Sequence, residues 1–199
     1  MKKYFQKRYT LAFFIGILAG IFGAIVKWGW EVRYTLAFFI GILAGIFGAI
    51  VKWGWEVPFP PRNPNVFWPA DALERVTPPK IFLEQLGLPT DWTYMFSGMQ
   101  MPLSIFIVHV GFSIIFGVAY CMIAEKWHRI TMWQGAVFGF FVYLFAHVII
   151  MPLIAEVPPL SEIPFDEHLS EIFGHIVWLW GMEIVRRDIR NRITKEIEE

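Results

Sequence analysis

From Met101 to Ala124 the chain runs 24 residues without an aspartate, glutamate, lysine or arginine, and from Ile130 to Ala155 it runs 26 more. A hydrocarbon layer of roughly 30 Å is crossed by about 20 apolar residues in a helix, the open-chain structure that satisfies its own backbone in lipid. Two further stretches fit the same use. Leu11 to Val26 is apolar and flanked by Tyr9, Lys27, Trp28 and Trp30, and Leu169 to Val185 holds a dense apolar run despite Glu171 and Glu183. Interfacial aromatics at such ends are the usual belts of a spanning helix. With 56% hydrophobic and 17% charged residues at zero formal net charge, neither a disordered chain nor a basic nucleic-acid binder fits. The single Cys121 excludes an intramolecular disulfide, and its place in an apolar run reads as packing.

Basic residues set the orientation. Lys2, Lys3, Lys7 and Arg8 precede the first span, Lys126 and Arg129 follow the second, and Arg186, Arg187, Arg190, Arg192 and Lys195 follow the last. The long connection after Pro58 carries only Arg62, Arg75 and Lys80. Four spans with both termini in the cytoplasm, including a cytoplasmic tail over 186–199, satisfy this distribution. No small-x-small cleavage site follows the first apolar run, so a cleaved signal peptide is not expected.

Arg8 to Val32 and Arg33 to Val57 are identical over 25 letters, RYTLAFFIGILAGIFGAIVKWGWEV. Natural repeats of solenoids and transporters diverge, so identity points to recent duplication, an engineered insertion or an assembly error. The second copy runs directly into Pro58 and is expected to be the native-like first span; the first copy either spans too, which would move the basic N-terminal tail outside, or lies at the interface or continues the same helix. Each copy carries a small-residue stripe, Ala12, Gly16 and Gly20 or Ala37, Gly41 and Gly45. Such spacing lets helices approach closely. Packing within the chain is the favoured use, and a homo-oligomer face is the alternative.

The 45 residues from Pro58 to Pro102 form a connection rich in proline and aromatics. Pro79 to Leu86, stopped by Gly87, reads as a short helix. Phe67, Trp68, Phe82, Leu83, Trp92, Tyr94 and Phe96 suggest a cap on the bundle or a segment lying on the bilayer. The fold class is therefore all-α, a single membrane domain over residues 1–199, with four spans, one extra copy of the first, and this external connection.

Ionisable groups inside spans are costly and mark function by default. His109 lies seven residues inside Pro102, His147 five before Pro152, His175 six after Leu169 and Lys52 six before Pro58. At 1.5 Å per residue all four fall at roughly 8–10 Å below one boundary. Glu56 stands one turn above Lys52, and Glu171 one turn above His175. Tyr143 shares a face with His147, as Ser113 does with His109. A cluster of Lys52, Glu56, His109, His147, Glu171 and His175 near the outer leaflet could take up protons as the exterior acidifies. The same histidines with Glu171 could instead hold zinc or another transition metal, and the bland reading is that each histidine ties helices together. Facing histidines could also ligate haem, but no CxxCH motif occurs. Phosphate-binding glycine motifs and a GxSxG elbow are absent from the sequence, and HExxH is too. A non-enzymatic protein is expected, with no cofactor, whose partners are the lipid bilayer and protons. The tail RRDIRNR is expected to anchor topology and to contact anionic lipid secondarily.

VKWGWEVPFPPR at Val51 to Arg62 and SEIFGHIVWLWGMEIVRRDIRNRIT at Ser170 to Thr194 resemble the YagU family of bacterial inner-membrane proteins. YCMIAEKW and WQGAVFGFFVYLFAHVIIMPL, between them, are similar as well. The resemblance covers about residues 33–195 and implies a small multispanning inner-membrane protein associated with acid resistance. It marks Lys52, Trp53, Glu56, Pro58, Pro60, Pro61, Arg62, Glu171, His175 and Arg186 as positions of the family pattern. The extra copy at Arg8 to Val32 departs from it. A third reading, a scaffold acting through the external segment and a protein partner, makes Phe59 to Trp68 the working residues.

Overall fold

Apolar runs become helices that expose their greasiest side chains. In a computed structural model of the chain, the residues described are 32–59, 78–96, 98–154, 161 and 163–198, with scattered positions between 12 and 23. Helix α1 spans Val32–Glu56 and α2 Pro78–Leu86; a hairpin of β1, Thr93–Phe96, and β2, Met99–Pro102, leads into α3, Leu103–Lys126. A 3₁₀ turn at His128–Thr131 precedes α4, Ala136–Tyr143, which runs on as a π-helix over Leu144–Ile150 and as α5, Met151–Ile154. The chain closes with α6, Phe165–Thr194. Phe39, Leu43, Ile46, Phe47 and Ile50 of α1 lie exposed while Ala37, Ala44 and Ala49 are buried. Apart from Ile40, which is buried too, that division of small residues inside and large apolar ones outside suits a helix whose outer face meets lipid.

Arg33–Glu56, Phe106–Lys126 and Ala136–Leu153 are long and apolar enough to cross a membrane. Helix α6 has the length, but Glu171, Glu183 and the basic run after Val185 make it more polar. The placement of the first repeat copy, the basic tail before it, and Arg62, Phe67, Trp68 and Arg75 lie outside the described residues.

Several stretches differ from those expected, each for a local reason. Met101 precedes Pro102, whose ring holds it extended, so both join β2 and the helix begins at Leu103. The stretch after Ile130 is not helical, because Trp133, Gln134 and Gly135 take left-handed φ values of 51°, 54° and 79° in succession. Gly135 has no substitute there, since a Cβ would sit 2.9 Å from the Tyr120 hydroxyl and 3.0 Å from the Leu179 carbonyl. Before Pro152, which lacks an N–H and crowds the carbonyl four residues back, the helix widens to π geometry, with Met151 N–H bonded to the Ala146 carbonyl. The short helix appears at Pro78–Leu86, with Gly87 at φ 72° as its stop. Its Phe82 and Leu83 are buried where α2 packs on α3.

The core is a seam of small residues. Gly45 of α1 rests against α3 so closely that a Cβ would lie 2.5 Å from Ile114 Cα and 2.6 Å from the Ser113 carbonyl. Gly41 meets Val118 and Gly117 in the same way. The Ala37–Gly41–Gly45 stripe of the second copy is thus used within the chain. Ser113 donates to the Gly45 carbonyl at 2.6 Å and accepts from Trp178 Nε1 at 2.7 Å, tying α1, α3 and α6 together. Cys121 is fully buried as a packing residue.

Candidate functional site

Directly above that tie, the long side chains of α1, the π-segment and α6 converge. Lys52 and Glu56 are one turn apart on α1, and the ammonium lies 2.5 Å from Glu56 Oε1. It also lies 3.5 Å from Glu171 Oε2, across the interface with α6. Gly174 leaves room for this crossing, and the Lys52 stem passes in ordinary contact range of it. Glu171 Oε2 is shared further: His147 Nε2 stands 3.6 Å from it and His175 Nδ1 3.5 Å. One carboxylate thus faces a lysine and two imidazoles contributed by three elements.

The histidines are oriented by their neighbours. His175, 4% exposed, places Nδ1 2.7 Å from the Glu171 carbonyl. A carbonyl only accepts, so this contact puts a proton on Nδ1 and leaves Nε2 as the free lone pair of the neutral ring. The His147 and His175 rings meet edge to face at 4.8 Å. Tyr143 stacks on His147 at 5.5 Å, and its hydroxyl lies 3.0 Å from His168 Nδ1. The widened π-turn carries His147 itself.

Of the six residues expected to converge, Lys52, Glu56, His147, Glu171 and His175 do so. His109 does not reach the carboxylates. It stacks flat on Trp53 at 4.7 Å and sets Nε2 3.4 Å from the Ala49 carbonyl, which makes it a helix tie on α3. Residue rise fixed its level but not its direction around the helix. Tyr143 and His168 are additions: the first was legible from its spacing to His147, the second sits in a segment with no apolar context to single it out.

One lysine faces two carboxylates, so with neutral imidazoles the cluster carries one negative charge in excess, and a single proton on either histidine balances it. Charges taken out of water persist only when paired in this way. His147, Glu171 and His175 also bring one potential ligand atom each to within 4.8 Å of one another, which is a donor set for a transition metal. His109, the fourth ligand considered in the sequence, is not part of it. Lys52 beside Glu171 Oε2 opposes a second cation at the same oxygen.

Residues 46–184, which contain all of these positions, match the family described as "Protein of unknown function (DUF1440)". The chain is similar to "Inner membrane protein YagU" of Escherichia coli (strain K12), 45% identical over 209 aligned positions that cover 96% of this chain and 90% of that protein. No solved structure matches the chain. With a family match over more than half its length and a relative aligned almost end to end, the chain belongs to the DUF1440 family and is an integral membrane protein.

Proposed function

We propose that this is a multispanning protein of the bacterial inner membrane that contributes to acid resistance, with the Lys52–Glu56–Glu171–His147–His175 cluster as its proton-responsive element. The observation that carries the reading is the sharing of Glu171 Oε2 by Lys52, His147 and His175. A first proton taken up from an acid exterior neutralises the excess charge and strengthens the contacts to Glu171. A second, on the neighbouring imidazole 4.8 Å away, sets two like charges together and loosens the junction of α6 with the π-segment. Two packings biased by proton count are a switch. His168 and Tyr143 flank the cluster, and His109, stacked on Trp53, lies near it on α3. The basic residues after Val185 support α6 as a fourth span, a cytoplasmic C-terminus and a cluster near the outer leaflet. No enzymatic step is assigned.

The test is survival of a deletion strain after acid challenge when it expresses the protein, His175→Ala or Glu171→Gln at matched membrane levels. Loss of protection in both variants is expected; full protection by both would sink the reading. A second reading, a bound zinc-type metal on His147, Glu171 and His175, is favoured by the 4.8 Å spacing of their ligand atoms. Stoichiometric zinc that survives dialysis against chelator and is lost in His147→Ala would replace the proton reading.

A further inference from the structure

At the opposite end of the bundle two buried arginines are held by a tail that fits them poorly. Arg186 is 1% exposed and Arg190 6%. Arg186 makes a bidentate pair with Glu183, Nε to Oε2 at 2.6 Å and Nη2 to Oε1 at 2.8 Å, and Glu183 also accepts from the Tyr120 hydroxyl at 2.8 Å. Arg190 donates from Nε to Glu125 at 2.9 Å. Lys195, in the left-handed conformation at φ 60°, turns the chain back, and Glu198 N–H bonds Asn191 Oδ1 at 3.2 Å. This return brings Glu198 onto Arg186 Nη2 and sets its Oε1 2.9 Å from Arg190 Nε. That N–H is already aimed at Glu125. Among the described residues, Arg186 Nη1, Arg190 Nη1 and Glu198 Oε1 are buried without a hydrogen bond. A planar carboxylate has too few oxygens, in the wrong directions, to serve both forks.

We propose that Arg186 and Arg190 form a binding site for a phosphate-type oxyanion, and that Glu198 occupies it in cis as a competing ligand. A tetrahedral oxyanion offers acceptors in more directions than a carboxylate, and guanidinium forks match phosphate oxygens bidentately. A cavity of about 490 Å³ lies on the far side of Glu198, lined by His128, Trp133, Gln134, Glu183, Arg187 and Glu198 among others, so movement of Glu198 is what would open the arginines to it. Once Glu198 lifts away, Arg186, Arg187 and Arg190 face only Glu125 and Glu183 as inner counter-charges, since Glu196 pairs with Arg190 from a largely exposed position. With Glu196 counted, the site is then neutral, one charge more positive than with Glu198 docked. Phosphate chemistry can come from the headgroup of an anionic lipid or from a soluble phosphate. The proposal is independent of the histidine cluster.

The experiment compares the full chain in detergent with its Glu198→Gln variant, which keeps both arginines. Inorganic phosphate is titrated by calorimetry, and binding to phosphatidylglycerol or phosphatidylcholine vesicles is measured alongside. A tethered competitor lowers apparent affinity by the fraction of sites left open, so its removal is expected to tighten binding about tenfold. Adding Arg190→Gln in the Glu198→Gln background should cancel the gain. A gain with phosphate identifies a soluble oxyanion, and a gain confined to phosphatidylglycerol identifies a lipid headgroup. No gain with either probe, an equal gain on phosphatidylcholine, or a gain that survives Arg190→Gln overturns the proposal.

Discussion

The repeat supplies its own control for the packing that supports the site. Gly45 and Gly20 occupy the same position in identical 25-residue sequences. A Cβ at Gly45 would lie 2.5 Å from Ile114 Cα, whereas one at Gly20 would meet nothing within 4 Å. Comfortable carbon separations begin at about 3.5 Å, and the obstructing atoms are backbone that cannot rotate aside. Gly45→Ala must therefore push α1 from α3 by about 1 Å. Overpacking of this kind costs about 1–3 kcal/mol. The same shift stretches the Ser113–Gly45 bond from 2.6 Å beyond hydrogen-bond range, at about 1 kcal/mol more.

Alanine is favoured over glycine in a helix by up to about 1 kcal/mol, equally in both copies, so that gain cancels in the comparison. Gly45→Ala is expected to be about 2–4 kcal/mol less stable than Gly20→Ala. Reversible unfolding of the full chain by SDS titration in mixed micelles, followed by far-ultraviolet circular dichroism, reads the difference. Equal midpoints for the two variants would refute the close α1–α3 approach, and with it the scaffold on which Lys52 meets Glu171.

Other expectations follow from the same contacts. Lys52→Met strips Glu56 and Glu171 of their shared cation and should cost about 3 kcal/mol in that titration, with part recovered by adding Glu171→Gln. For Glu198, burial pushes the carboxyl up, but the Arg186 hydrogen bond and the charges of Arg186, Arg190 and His128 outweigh it and hold the group below its ordinary 4.5. A depressed carboxylate contributes docking free energy above its ordinary value and loses it as pH falls through the lowered one. A nitroxide on Glu199→Cys should therefore stay slow from pH 7 to about 5 and become mobile on further acidification; mobility independent of pH would refute the ion pairs.

What could be seen in the sequence is what depends on one helix at a time. The uncharged runs gave three of the spans because burial of a backbone in lipid needs nothing but length and apolarity. Counting from Pro58, Pro152 and Leu169 put Lys52, His147 and His175 at one level because the helical rise is fixed. The direction of each side chain depends on crossing geometry, so His109, at the proper level, ended on Trp53 rather than on Glu171. The network at the other end needed a non-glycine residue, Lys195, to enter the left-handed region and reverse the chain. Nothing local in KEIEE announces that reversal, because the ion pairs with Arg186 and Arg190 that hold it come from the preceding helix.

The two charged clusters sit on one element, and that bears on how the protein can respond to protons. Helix α6 carries Glu171 and His175 near its start and Glu183, Arg186 and Arg190 near its end. Between them Leu179 and Met182 are fully buried and Gly181 accepts the Val51 side chain, so the middle of α6 is seated among side chains rather than among ions. A close-packed seat of this kind resists sliding but permits a small rotation, since Gly48 and Gly181 present little side chain to climb over. A change of charge at Glu171 is therefore transmitted along α6 only if the helix turns as a body. Such a turn would move Arg186 relative to Glu125, which α3 holds and whose contact with it is already long at 4.0 Å. If charge at the histidines acts in this way, the spin label at the C-terminus should respond to His175→Lys, which sets a permanent cation beside Glu171, at neutral pH, where Glu198 is charged in both proteins. A label indifferent to that substitution would confine the proton response to the end of the bundle where the histidines lie.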